Sequence, residues 1–188
     1  MNRTTIALTI GLLALGQTAW SPAAGAQTQK KIPTPTIAIV DVQLVMQNSE
    51  AAKGIRTQIE KVRTSYQQSV HGKEEELRKL DQDLEQQRSI LSPDAYQQRQ
   101  RDFQQKVADA QKDVQDRRQK LETAFGKAMQ QVQDALVQIV DQVAKEQAIS
   151  LVLPKASVIH SGDDMDITQE VLKRLNSRLP SVSVAIPK

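Results

Sequence analysis

The 188-residue sequence predicts a mainly α fold with a small β head. A long antiparallel α-helical coiled-coil hairpin is inserted into a head of about three short strands and a short helix. Three observations predict this. Apolar residues recur in steps of three, four and seven from Ile55 to Leu91 and again from Tyr96 to Val143, the spacing of a coiled-coil stripe. One break, Ser92-Pro93, separates the two stripes. Short β-branched runs flank the hairpin on both sides. The chain thus divides into a signal peptide (1–26), an N-terminal head segment (27–44), the hairpin arm (45–148, turning near 92–93) and a C-terminal head segment (149–188).

Residues 1–26 carry the pattern of a secretory signal. Arg3 supplies the positive start, Ile6 to Leu15 the apolar stretch, and Ala24-Gly25-Ala26 a small-residue cleavage site. The apolar stretch is well short of the ~20 residues a membrane span needs, so cleavage after Ala26 is expected, with the periplasm as the address. The only tryptophan, Trp20, leaves with this segment, and the loss of Arg3 lowers the formal charge of +3 by one. So small an excess gives no reason to expect nucleic acid as a partner. Cysteine is absent, which excludes disulfides.

Gln27 to Pro35 is a polar lead-in punctuated by proline. Thr36 to Val42 reads as a mostly buried strand, after which Leu44 or Val45 opens the first long helix. The outgoing stripe reads Ile55, Ile59, Val62, Tyr66, Val70, Leu77, Leu80, Leu84 and Leu91. The return stripe includes Phe103, Val107, Ala110, Val114, Leu121, Phe125, Val132, Leu136 and Ile139. At 1.5 Å per residue each arm would reach roughly 70–80 Å. Gly54, Gly72 and Gly126 weaken the helices by about 1 kcal/mol each relative to alanine and are expected to let the arms flex. At the turn, Ser92 suits the cap of the second helix, Pro93 its first position, and Asp94 the positive end of its dipole.

Beyond Gln147, Ser150–Leu153 and Ser157–His160 are strand candidates around Pro154-Lys155-Ala156, consistent with a β-hairpin. Asp166 and Gln169 resemble a capping box that opens a short helix ending at Pro180; the tail from Ser181 is expected to be loose, though Val182, Val184 and Ile186 alternate as an edge strand would. A head of this size cannot bury a self-sufficient core. The apolar stripe also widens at the base, through Leu136, Val137, Ile139, Val140, Val143 and Ala144 on one side and Leu44, Val45, Met46, Ala51 and Ala52 on the other. The surplus predicts subunits joined at their heads, with Ile37, Ile39, Val40, Val42, Val137, Val140, Leu151 and Leu153 as interface residues.

Catalytic signatures are lacking. His71 and His160 are far apart in sequence, and no His/Cys cluster offers a metal site. The Asp163, Asp164, Asp166 loop lacks the glycine and distal glutamate of a calcium loop. No phosphate loop or nucleophile elbow occurs, so neither a cofactor nor an enzyme activity is expected. Each arm carries about as many basic as acidic side chains, most of them a solvated face. Only the tip is biased, with Arg88, Arg99, Arg101 and Lys106 against Asp94 and Asp102. Transient contact with anionic membrane lipid or lipopolysaccharide is one expectation for that tip, an acidic client is another, and solubility alone is a third.

Thr36-Ile37-Ala38-Ile39-Val40-Asp41-Val42-Gln43, followed by Asn48-Ser49-Glu50-Ala51-Ala52-Lys53, resembles the opening of the Skp/OmpH periplasmic chaperones. Ser150-Leu151-Val152-Leu153 and Asp166-Ile167-Thr168-Gln169-Glu170-Val171-Leu172 resemble their closing segment. The resemblance implies a homotrimer whose heads pool into an oligomeric β-barrel body and whose helical arms enclose a cavity. It further implies an ATP-independent holdase for unfolded outer-membrane β-barrel proteins. The near-neutral arms point to scattered apolar contacts rather than electrostatic capture, with Ile90, Leu91, Tyr96 and Phe103 as client-binding candidates beside Arg88, Arg99 and Arg101; the alternative for Leu91, Tyr96 and Phe103 is that they complete the seam. The competing reading is a structural or adaptor coiled coil of the cell envelope.

Overall fold

The structure, a computed structural model, describes residues 34–187. The expected signal peptide, with its cleavage site after Ala26, lies outside the described residues. The elements run β1 (Ile37–Val40), α1 (Val42–Asn48), α2 (Glu50–Gln87), α3 (Pro93–Glu146), β2 (Leu151–Pro154) and α4 (Thr168–Arg178), with short 3₁₀ turns at Lys155–Ser157 and Asp163–Met165. The mainly helical fold with a small strand pair agrees with the sequence reading.

The first long helix does not begin at Leu44 or Val45. Asp41 accepts the Leu44 N–H at 2.8 Å and starts the short α1. Ser49 then takes an extended backbone (ψ 143°), and its fully buried hydroxyl accepts the Ala52 N–H at 3.4 Å, which starts α2 afresh. Arg56 bridges this break by donating to the carbonyls of Gln47 and Met46, which α1 leaves open at its end. The outgoing helix is therefore 38 residues, about 57 Å, whereas the 54-residue α3 spans about 81 Å. The break shortens one arm relative to the expected reach.

The far turn follows the sequence closely. Ser92 accepts the Ala95 N–H at 3.4 Å, Pro93 opens α3 and Asp94 stands in its first turn. At the other end of α3, Ile149 N–H donates to Ala144 C=O at 2.8 Å while Ala148 sits at φ 52°. This is a Schellman closure with alanine where glycine is preferred.

The expected β-hairpin at 150–160 does not form. β2 instead pairs in parallel with β1, in the register Ile37↔Leu151 through Val40↔Pro154. On its other side β1 is bridged at Ile39 to Asp166, and Ile167 N–H donates to Ile39 C=O at 2.9 Å. Pro154 has no N–H to extend a ladder, and the chain coils into a 3₁₀ turn directly after it. Among the described residues the head therefore holds two strands and two short helices, rather than three strands and one.

Asp166 begins α4 differently from the expected box. Its carboxylate accepts the N–H of Thr168, two residues on, at 2.9 Å, and pairs with Lys155 at 2.7 Å. The Thr168 hydroxyl in turn accepts the Asp41 N–H at 2.8 Å, which ties the start of α4 to the start of α1. Hydrogen bonds from Lys155 first, and from Thr168 next, hold the Asp166 carboxyl at about 2.

The core joins Ala38 and Val40 of β1, Val45 of α1, Ile55 and Ile59 of α2, Val132 to Val143 of α3, and Val171 and Leu175 of α4. Much of the apolar surplus at the base is thus covered within the chain. Arg174 reinforces the packing by pairing with Glu146 at the end of α3 and with Glu170. The tail is not loose: Val182 is buried in the same core and Val184 packs against it.

Candidate functional site

The arms pack tightly only where small and branched side chains meet. Toward the head the α3 seam residues Ala124, Ala128, Val132 and Leu136 are buried, and near the tip so is Leu84. Between these zones Val62, Tyr66, Val70, Leu77, Val107, Ala110 and Leu121 are only half-buried and Val114 is exposed, while Phe125, beside the buried Ala124, also faces outward at 37%. The stripe that the sequence marks as a seam is thus unsealed in mid-arm. A groove of about 540 Å³ lies there, floored by Tyr66, Val70, Val114 and Leu121 and rimmed by Arg63, His71, Glu74, Arg118 and Glu122. A second groove of about 190 Å³ continues along Val70, Leu77, Val107 and Ala110.

One polar constellation crosses the arms in this region. Asp113 on α3 accepts from Lys73 on α2 and from Arg117 at 2.9 Å, and the Arg117 guanidinium stands 4.9 Å from the Tyr66 ring centroid. Among the described residues, Lys73–Asp113 is the one ion pair between α2 and α3. The Arg117 hydrogen bond, then that of Lys73, holds the Asp113 carboxyl at about 2, and Asp113 raises Arg117 in return. The sequence reading treated these charges as a solvated face. Reflecting α2 through Ser92 sets Lys73 opposite Gln111 and Tyr66 opposite Arg118, each within two residues of the observed partner, so the sequence carried the region of contact but not the pairs themselves.

At the tip, Ile90 is 79% exposed on the turn that follows α2, and Arg88 beside it is exposed. Leu91 and Tyr96 are half-buried. Phe103 lines a groove of about 340 Å³ together with Leu80 and Leu84, with Arg99, Lys106, Asp83 and Asp102 around it. Arg101 is exposed and donates to Gln98 at 2.8 Å. The proposed client-contact residues therefore share one end of the hairpin but do not form one apolar patch.

The proposed interface residues separate more sharply. Ile39 and Val40 are buried within the single chain at 2% and 3% exposure, with β1 flanked by β2 on one side and by the Asp166 segment on the other. Ile37, Val140 and Leu153 are half-buried, while Val42, Val137 and Leu151 are exposed, Val137 at 61%.

Among the described residues no group of His, Asp and Glu side chains is placed to hold a metal ion, and no helix is long and apolar enough to cross a membrane.

Comparison with known proteins supplies the context for these features. A family described as outer membrane protein (OmpH-like) matches residues 36–175. A protein of Aquifex aeolicus (strain VF5), itself described as uncharacterized, is 30% identical over 139 residues, which is 74% of this chain and 85% of that protein. A crystal structure from Caulobacter crescentus CB15, assigned as an outer membrane chaperone (OmpH-like), shares the fold with a TM-score of 0.77 at 21% identity, covering 84% of this chain and 93% of that one. With the match running from the first strand into α4, and the helical hairpin between them, the chain belongs to the OmpH-like outer membrane protein family.

Proposed function

We propose that this protein is an ATP-independent periplasmic holdase that binds unfolded outer-membrane β-barrel proteins between helical arms and keeps them from aggregating. The observation that supports it most is the unsealed seam. A stable structural coiled coil buries its apolar stripe along its whole length, whereas here the middle of the stripe is open to solvent as grooves with charged rims. An unfolded barrel strand presents an apolar face and unpaired edges, both aggregation hazards in water. Many shallow contacts along an arm can hold such a chain without a tight pocket, and several arms acting together raise the effective concentration.

The exposed Val42, Val137 and Leu151 at the base support joining of heads, and a homotrimer accords with the family resemblance. The basic side chains around Ile90 fit transient contact with anionic lipid or lipopolysaccharide.

Native mass spectrometry of the mature protein, alone and after dilution of a urea-unfolded outer-membrane barrel into it, tests the reading. A trimer that gains one client while aggregation is suppressed is the expected result. An oligomer that leaves the client to precipitate would favour an envelope adaptor instead.

A further inference from the structure

Past α4 the chain does something the family match, which ends at residue 175, does not cover. Residues Ser181 to Ile186 alternate in burial: Val182 is buried, Val184 and Ile186 half-buried, and Ser181, Ser183 and Ala185 exposed. A period of two is how an extended strand presents its side chains. Gln58 on α2 holds this segment by its backbone. Its Nε2 donates to Val182 C=O at 2.8 Å, and its Oε1 accepts Val184 N–H at 3.1 Å. Those two groups, on residues two apart, are the pair that one residue of a parallel neighbouring strand would engage. The same amide also donates to Gly54 C=O at 3.3 Å within its own helix, which ties the tail's anchor to the backbone of α2.

We propose that the base of the arm is a docking site for an extended segment with apolar residues at every second position, and that the C-terminal tail is its resident occupant, displaced by an incoming client strand. The site reads backbone through Gln58, which needs no particular sequence, and reads alternation through the apolar surface that takes Val182 and Val184. Ile55, Gln58 and Ile59 belong to α2, while the occupant follows α4 more than 100 residues later in the chain. Alternating apolar and polar residues are also what a membrane-barrel strand presents. The identity of the displacing strand rests on the holdase reading; the docking site itself does not.

The test uses the full-length protein and a fluorescein-labelled peptide of the sequence Ser181–Lys188, with a control peptide of the same composition whose apolar residues are contiguous. Val182→Ser with Val184→Ser releases the tail without removing it. Fluorescence anisotropy should show the alternating peptide binding this variant at least about tenfold more tightly than the unaltered chain. Adding Gln58→Ala to the released variant should abolish the gain, and the control peptide should bind weakly throughout. No gain on tail release, or equal binding of both peptides, overturns the proposal. If the double variant loses its helical circular dichroism, the unaltered chain decides: excess alternating peptide should accelerate hydrogen exchange of the Val184 amide, and unchanged exchange overturns the site. An unfolded outer-membrane barrel should compete the peptide away. Peptide binding that the barrel cannot reverse would keep the site and overturn the client strand as its second occupant. Absence of peptide binding in a protein that still keeps the barrel soluble would overturn this inference while leaving the holdase reading intact.

Discussion

Arg117 of α3 places its guanidinium 4.9 Å from the centroid of the Tyr66 ring on α2, and the same group is held at 2.9 Å by Asp113, one helical turn earlier. Asp113 is shared with Lys73 across the hairpin. The mid-arm, where apolar packing is thinnest, is therefore joined by a cation–π contact and a shared carboxylate.

The shared carboxylate makes mid-arm stability depend on acid. Asp113 is depressed from 3.8 to about 2, so its contribution is fully present above pH 3.8 and is lost as the pH falls toward 2. Asp113→Asn should lower stability at pH 6, and the difference from the unaltered protein should shrink as the pH falls through that window. Urea melts followed by circular dichroism at pH 6, 4 and 2 check this; a difference independent of pH would contradict it. Asp166 titrates in the same direction and remains in both proteins, so its effect cancels in the comparison.

Ala148 holds a left-handed backbone at the end of α3. Glycine lacks the Cβ that makes this conformation costly, so Ala148→Gly should stabilise the protein by about 1 kcal/mol. A β-branched residue there should destabilise it by more than that. Chemical denaturation midpoints for Ala148→Gly and Ala148→Val should move in opposite directions.

Ser49→Ala should cost about 1–2 kcal/mol, because it removes the cap of α2 at a fully buried position. Hydrogen exchange should rise first in Glu50 to Gly54, and an unchanged exchange pattern would argue that the Asn176 side chain, which accepts the Glu50 N–H at 2.9 Å, suffices by itself.

Gly72 and Gly126 each have open space where a Cβ would stand. Alanine at both should stiffen the arms and add about 1 kcal/mol of helix stability per site. If flexing adapts the arms to clients, the stiffened protein should hold large barrels less well than small ones in a light-scattering aggregation assay. Equal capacity for both sizes would remove the flexing idea.

Val137→Asp with Leu151→Asp should leave the monomer fold unchanged, since both side chains are exposed. The pair should nevertheless dissociate a head-joined oligomer, because a desolvated carboxylate is costly in an apolar interface. Sedimentation velocity would read the shift in mass, and an unchanged oligomer would place the interface elsewhere.

What could be read from the sequence were the features that local chemistry specifies. The repeat from Ile55 to Val143 announced two antiparallel helices, and Ser92-Pro93-Asp94 announced their turn, because periodicity and capping act within a few residues of one another. The grooves of the candidate site were only half legible: the stripe was visible, but whether a partner sealed it depends on side-chain size across the hairpin. The burial of Ile39 and Val40 was plain in the sequence, but what covers them within the chain was not. Tertiary structure alone decided this, since β1 is covered by β2 in parallel, by the Asp166 segment and by the helices of its own chain. It also decided that α2 starts anew at Ser49 and that the tail docks on Gln58. Such outcomes turn on which of several distant surfaces best buries an apolar strip and satisfies the backbone beside it, a competition between segments more than 100 residues apart that no local pattern records.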